Sequence, residues 1–83
     1  MATPRRSALG LPPRYRRHAL SRLDALIART EGERAERLRT VEHLAAAGKG
    51  AARARARLRT AEYRLALLRG SRHWLLSREP PEA

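Results

Sequence analysis

From Ala51 to Leu68 the chain reads AARARARLRTAEYRLALL, and its uncharged residues recur every three and four positions. Ala51, Ala54, Leu58, Ala61, Leu65 and Leu68 fall on one stripe of a 3.6-residue helix, with the spacing of a heptad a/d seam. Alternation of Arg53, Arg55, Arg57 and Arg59 with small apolar residues imitates a strand. Alanine, however, is a strong helix former and a poor strand former, so a helix is expected over residues 51–69. On that helix Arg53, Arg57 and Arg64 border one side of the seam, and Arg55, Arg59 and Arg69 border the other. Opposite the seam lies a second uncharged strip of Ala52, Ala56, Thr60, Tyr63 and Leu67. One helix thus has two faces to bury.

Upstream, Ala19, Leu20, Leu23, Leu26, Ile27, Leu38, Val41, Leu44 and Ala45 keep helical spacing across residues 14–47. Pro12 and Pro13 suit the entry, because proline is tolerated in a first helical turn. The centre of this arm is polar. Thr30, Arg34 and Arg37 sit on the apolar stripe, Gly32 disfavours helix, and Thr30 with Glu33 has capping-box spacing. One long helix with a polar waist and two helices meeting near residues 30–32 both fit. The continuous helix is preferred because the two halves share one stripe phase.

Gly48-Lys49-Gly50 punctuates the chain. A glycine there can take the left-handed position that ends a helix, and a link of three residues suits an antiparallel helix pair. Folding back at this point sets Val41 against Leu58, Leu38 near Ala61, Thr30 near Leu68 and Leu23 near Leu75. It also brings Glu31, Glu33, Glu36 and Glu42 beside the arginines of the second arm. Gly70-Ser71 predicts a second interruption, followed by a short helix over 72–78 with Trp74 closing the open end of the bundle. The expected fold class is all-α: an antiparallel helical hairpin over 14–79 with a short third segment. A flexible basic arm (residues 1–13) precedes it and a tail (80–83) follows.

Charge sharpens this reading. The 83 residues hold 19 basic and 8 acidic side chains, a formal net charge of +11. Such a surplus predicts attraction to polyanions, nucleic acid first. It is unevenly placed: residues 21–47 are balanced, whereas the second arm opposes its arginines with Glu62 alone up to residue 78. With no cysteine, neither a disulfide framework nor a thiolate metal site is possible. No apolar run approaches the ~20 residues of a membrane span. The bulky apolar set is essentially leucine, so oligomerisation or docking on a larger partner is expected.

Catalysis and cofactor binding have little support. His18, His43 and His73 are scattered without the i, i+4 spacing of a helical metal site, and the glycines at 48 and 50 are too few for a phosphate loop. A helix-turn-helix reading matches only weakly, since its usual apolar and glycine spacing is missing. The expected function is non-enzymatic nucleic-acid binding with weak sequence preference. Arg53, Arg55, Arg57, Arg59 and Arg64 carry it, with Arg14, Arg16 and Arg17, and Arg5 and Arg6 before them, as a basic arm. The alternative is a structural or adaptor subunit using Ala52, Ala56, Tyr63, Leu67 and Trp74 as a protein interface, either in a homo-oligomer or on a larger partner. Binding to an anionic membrane is disfavoured because the apolar strips are alanine-rich and shallow. Tyr15 and Tyr63 are read as packing residues with an exposed hydroxyl. A cytoplasmic location is expected. The acid-free, arginine-rich start also resembles an organellar transit peptide in composition, without a clear apolar face.

Overall fold

The computed structural model describes residues 13–77. They form two helices, α1 (Pro13–Ala46) and α2 (Ala52–Ser77), packed side by side and antiparallel. Pro13 opens α1 at the position where its missing N–H costs nothing. The helix then runs without a break through Thr30, Gly32 and Glu33, so the continuous reading of this arm holds and the capping-box spacing goes unused.

The end of α1 is a Schellman turn. Gly48 has φ +70°, its N–H donates to the Ala45 carbonyl at 3.1 Å, and the Lys49 N–H donates to the Leu44 carbonyl at 2.9 Å. Only glycine takes this conformation without strain. Ala51 then precedes α2, its carbonyl accepting from the Arg55 N–H at 2.8 Å.

Between Ala51 and Leu75 the residues withdrawn from solvent are Ala51, Ala54, Leu58, Ala61, Leu65, Leu68, Arg72 and Leu75, and every other residue there is exposed. These include all six expected seam residues, and the steps of three and four continue to the end of the helix. On α1 the matching half-buried or buried row is Arg16, Leu20, Leu23, Ile27, Thr30, Arg34, Arg37, Val41 and Leu44. Ion pairs fix the register: Glu31 with Arg69 (2.8 Å), Glu33 with Arg64 (3.4 Å) and Asp24 with Arg72 (2.6 Å). They hold the helices within about one turn of the expected fold-back. The core is thin. Ala51, Ala61 and Leu65 are its buried apolar residues, and the buried polar one is Thr30, at the waist.

One expectation is overturned. No third helix is present among the described residues, because α2 passes straight through Gly70 and Ser71 to Ser77. A glycine in a helix costs about 1 kcal/mol relative to alanine. Here Leu68, Arg72 and Leu75 stay in seam phase on either side of it and hold the helix against α1. Trp74 consequently lies on the outward side of α2 instead of closing the end of the bundle. Tyr15 and Tyr63 do not pack against the hairpin either; both are exposed. Of the expected flexible arm of residues 1–13, Pro13 belongs instead to α1; the remainder of the arm and the tail of 80–83 lie outside the described residues.

Leu65→Ala is expected to lower the unfolding free energy by about 2 to 5 kcal/mol, as other buried leucines do. Arg59→Ala should change it by no more than about 0.5 kcal/mol, as a surface substitution. Thermal and urea melts followed by circular dichroism make the comparison, and a Leu65→Ala variant melting like the parent would place the seam on another face. Gly48→Ala should cost roughly 1 to 2 kcal/mol by forcing a Cβ into the left-handed region.

Candidate functional site: an arginine-lined edge

Arg34 and Arg37, next to the waist of the packing seam, lean to opposite edges of the hairpin. Arg34 reaches Glu62, with Nε 3.3 Å from Oε2, and shares its crevice with Glu31, Leu65 and Arg69. Glu31 in turn holds Arg69, and further along the pair Asp24–Arg72 continues the row. Acids and arginines alternate across this edge. Each pair is solvent-exposed and worth at most about 1 kcal/mol, so their main effect is to offset the charge of the arginines they meet.

Arg37 turns the other way. It lines two adjoining grooves, one of about 220 Å³ with Thr40, Leu44, Gly50, Arg53, Ala54 and Arg57, the other of about 250 Å³ with Arg57, Thr60, Ala61 and Arg64. The physical reason for the grooves is residue size. Arg37 shares one groove with Ala54 and the other with Ala61, whose single methyl groups leave space between the helices unfilled. Thr40 and Thr60 add hydroxyls to the lining, each donating to the carbonyl four residues back, Glu36 at 3.2 Å and Ala56 at 3.1 Å.

This edge is not neutralised. Arg64 is shared with Glu33 at 3.4 Å, the longest of the four ion pairs. Among the described residues Arg37, Arg53 and Arg57 take part in no ion pair. Glu36 and Glu42, expected to meet the second arm, likewise form none. Burial of the guanidinium stems along the seam, with the charged heads kept at the surface, is the usual compromise for arginine at an apolar contact.

Of the residues that the sequence nominates, Arg53, Arg57 and Arg64 come together here. Arg55 and Arg59 are exposed along the border they share with Arg69, line neither groove and take part in no ion pair among the described residues. Arg14, Arg16 and Arg17 belong to the opposite end of α1; at ~1.5 Å per residue Arg16 is roughly 30 Å from Arg37 along the axis. Arg14 lies over the Tyr15 ring, 5.5 Å from its centroid, a cation–π contact. Arg5 and Arg6 lie outside the described residues. Arg37 is the member that sequence reasoning left unassigned. Its signal was present in the expected fold-back, which sets Leu38 near Ala61 and so brings its neighbour Arg37 to a small residue.

Among the described residues no group of three or more His, Cys, Asp and Glu side chains is placed to hold a metal ion, and no helix is long and apolar enough to cross a membrane.

An unpaired cation in a packing seam is a stability defect. Arg37→Leu is therefore expected to raise the stability of the hairpin by about 1 kcal/mol, since it adds apolar contact beside two alanines and removes a partly desolvated charge. A melting temperature below that of the parent would contradict this and show that the arginine stem packs better than leucine. No family model, no curated protein and no solved structure matches the chain, so the site is read from its own geometry.

Proposed function

We propose that this protein binds the phosphate backbone of nucleic acid, without chemistry on it and without strong base preference, along the edge formed by Arg37, Arg53, Arg57 and Arg64. The observation that carries this reading is the clustering of unpaired guanidinium groups: among the described residues Arg37, Arg53 and Arg57 line two adjoining grooves and take part in no ion pair, whereas Arg34, Arg69 and Arg72 on the other edge are each held by an acid. Arginine supplies a planar fork of donors that matches phosphate oxygens, and its charge persists at any physiological pH.

The dimensions are compatible with a nucleic-acid strand. Arg53 to Arg64 covers about 16 Å of helix axis at ~1.5 Å per residue. One strand of duplex presents a phosphate every ~3.4 Å of its axis, so this length faces about five of them. Four arginines over that distance suit a backbone contact. Neither groove has an aromatic residue in its lining, so this edge offers nothing to stack on a splayed base. That composition favours backbone contact over sequence readout.

Four phosphate contacts imply a slope of about −3.6 for log affinity against log salt on B-form DNA. Replacing Arg53 and Arg57 together by alanine should flatten the slope to about −1.8 and weaken binding equally on unrelated sequences. Fluorescence anisotropy with labelled duplexes between 50 and 300 mM salt, about the range where such contacts are lost, reads both quantities. A parent slope near zero, or an Arg53/Arg57 variant with the parent's slope, would defeat the proposal.

A further inference from the structure

The continuity of α2 through Gly70 lengthens its outward strip. On the unbroken helix Ala56, Thr60, Tyr63, Leu67, Gly70 and Trp74 follow one another at steps of four and three residues, the same repeat that packs the opposite face on α1. All six are exposed, Tyr63 to 67%, Leu67 to 54% and Trp74 to 44%. Beside them runs an open groove of about 550 Å³ lined by Ala66, Leu67, Gly70, Ser71, Trp74 and Leu75. Scattered exposed apolar residues are ordinary, but a second row at heptad spacing, with tyrosine, leucine and tryptophan in line, is a packing surface that α1 does not cover.

The charges along its borders select the occupant. Arg57 and Arg64 run along one border, and Arg59 with His73 runs along the other. The one acid of α2, Glu62, belongs to the seam side and is engaged with Arg34. A second copy would bring the same basic borders to the contact, between chains of formal charge +11 each, with no acid of α2 to meet them. Residues 1–12 of the chain itself carry Arg5 and Arg6 and no acid, so they mismatch in the same way. A helix with apolar a and d positions and Glu or Asp at e and g matches both the seam and its borders.

We infer that the strip Ala56–Thr60–Tyr63–Leu67–Gly70–Trp74 docks an amphipathic helix of a partner protein whose apolar seam is bordered by acidic residues. Tyr63 and Leu67 act as its anchors, large side chains at the centre of the row. The inference shares Arg57 and Arg64 with the proposed phosphate edge but rests on the outward apolar row, which phosphate binding does not use.

The test uses the full chain, freed of nucleic acid, and three labelled 28-residue synthetic peptides of about four heptads each. One has Leu at a and d with Glu at e and g, one replaces those Glu by Lys, and one has the acidic composition in scrambled order. The acidic heptad peptide is expected to bind at least about tenfold more tightly than either of the others. Tyr63→Ala with Leu67→Ala, which keeps helix propensity and adds no charge, should weaken that binding about tenfold and leave the circular dichroism spectrum unchanged. Equal binding of the acidic and scrambled peptides would reduce the effect to charge alone and overturn the inference. So would undiminished binding by the double variant. Sedimentation of the parent chain as a dimer that the double variant dissociates would assign the strip to a second copy instead.

Discussion

Packing of α1 on α2 runs through one row of residues spaced by threes and fours, and the buried apolar side chains in it are Ala51, Ala61 and Leu65. At about 25 cal/mol for each Å² of apolar surface withdrawn from water, two alanines and a leucine contribute little against the entropy of ordering two long helices. The half-buried leucines, Ile27 and Val41 add the rest. A hairpin held so lightly depends on everything that lowers its cost of formation. Two features do so: alanine- and arginine-rich helices with high intrinsic propensity, and a turn whose glycine already prefers the left-handed conformation.

Given so thin a seam, putting arginine into it looks like waste, and its consequence is the main asymmetry of the molecule. Arg34 and Arg37 are three residues apart on the same stripe, yet one meets Glu62 on an edge crowded with acids while the other emerges beside Arg53, Arg57 and Arg64. Small residues at 54 and 61 make room for the second of these. The pattern sacrifices packing for a cluster of unpaired arginines around two shallow grooves.

Much of this could be read before any coordinates. The α2 stripe from Ala51 to Leu68, the turn at Gly48 and the register of Glu31 with Arg69 all follow from spacing, because seam burial and the fold-back leave few alternatives. Gly32 and Gly70 show where local signals mislead. Both carry the same intrinsic penalty, and both lie inside unbroken helices because the seam keeps its phase across them. At Gly70 the adjoining Ser71 strengthens the local turn signal, yet Leu68, Arg72 and Leu75 carry the seam across it and α2 does not break. The sides taken by Arg34 and Arg37 were not legible from one helix at a time. They depend on what each side chain meets across the seam, Leu65 in one crevice and Ala61 in the other, which only the paired register reveals. The error at Gly70 also hid Trp74, which joins Tyr63 and Leu67 in one row only on a continuous helix.

The account assigns distinct work to arginines that composition alone cannot tell apart, and nuclear magnetic resonance of the arginine Nε–Hε groups separates them directly. Titration of the labelled protein with an unrelated-sequence duplex at low salt should shift and broaden the signals of Arg37, Arg53, Arg57 and Arg64, and leave those of Arg55, Arg59, Arg69 and Arg72 nearly unmoved. Uniform shifts across all arginines, or shifts led by Arg55 and Arg59, would contradict an edge-specific phosphate site.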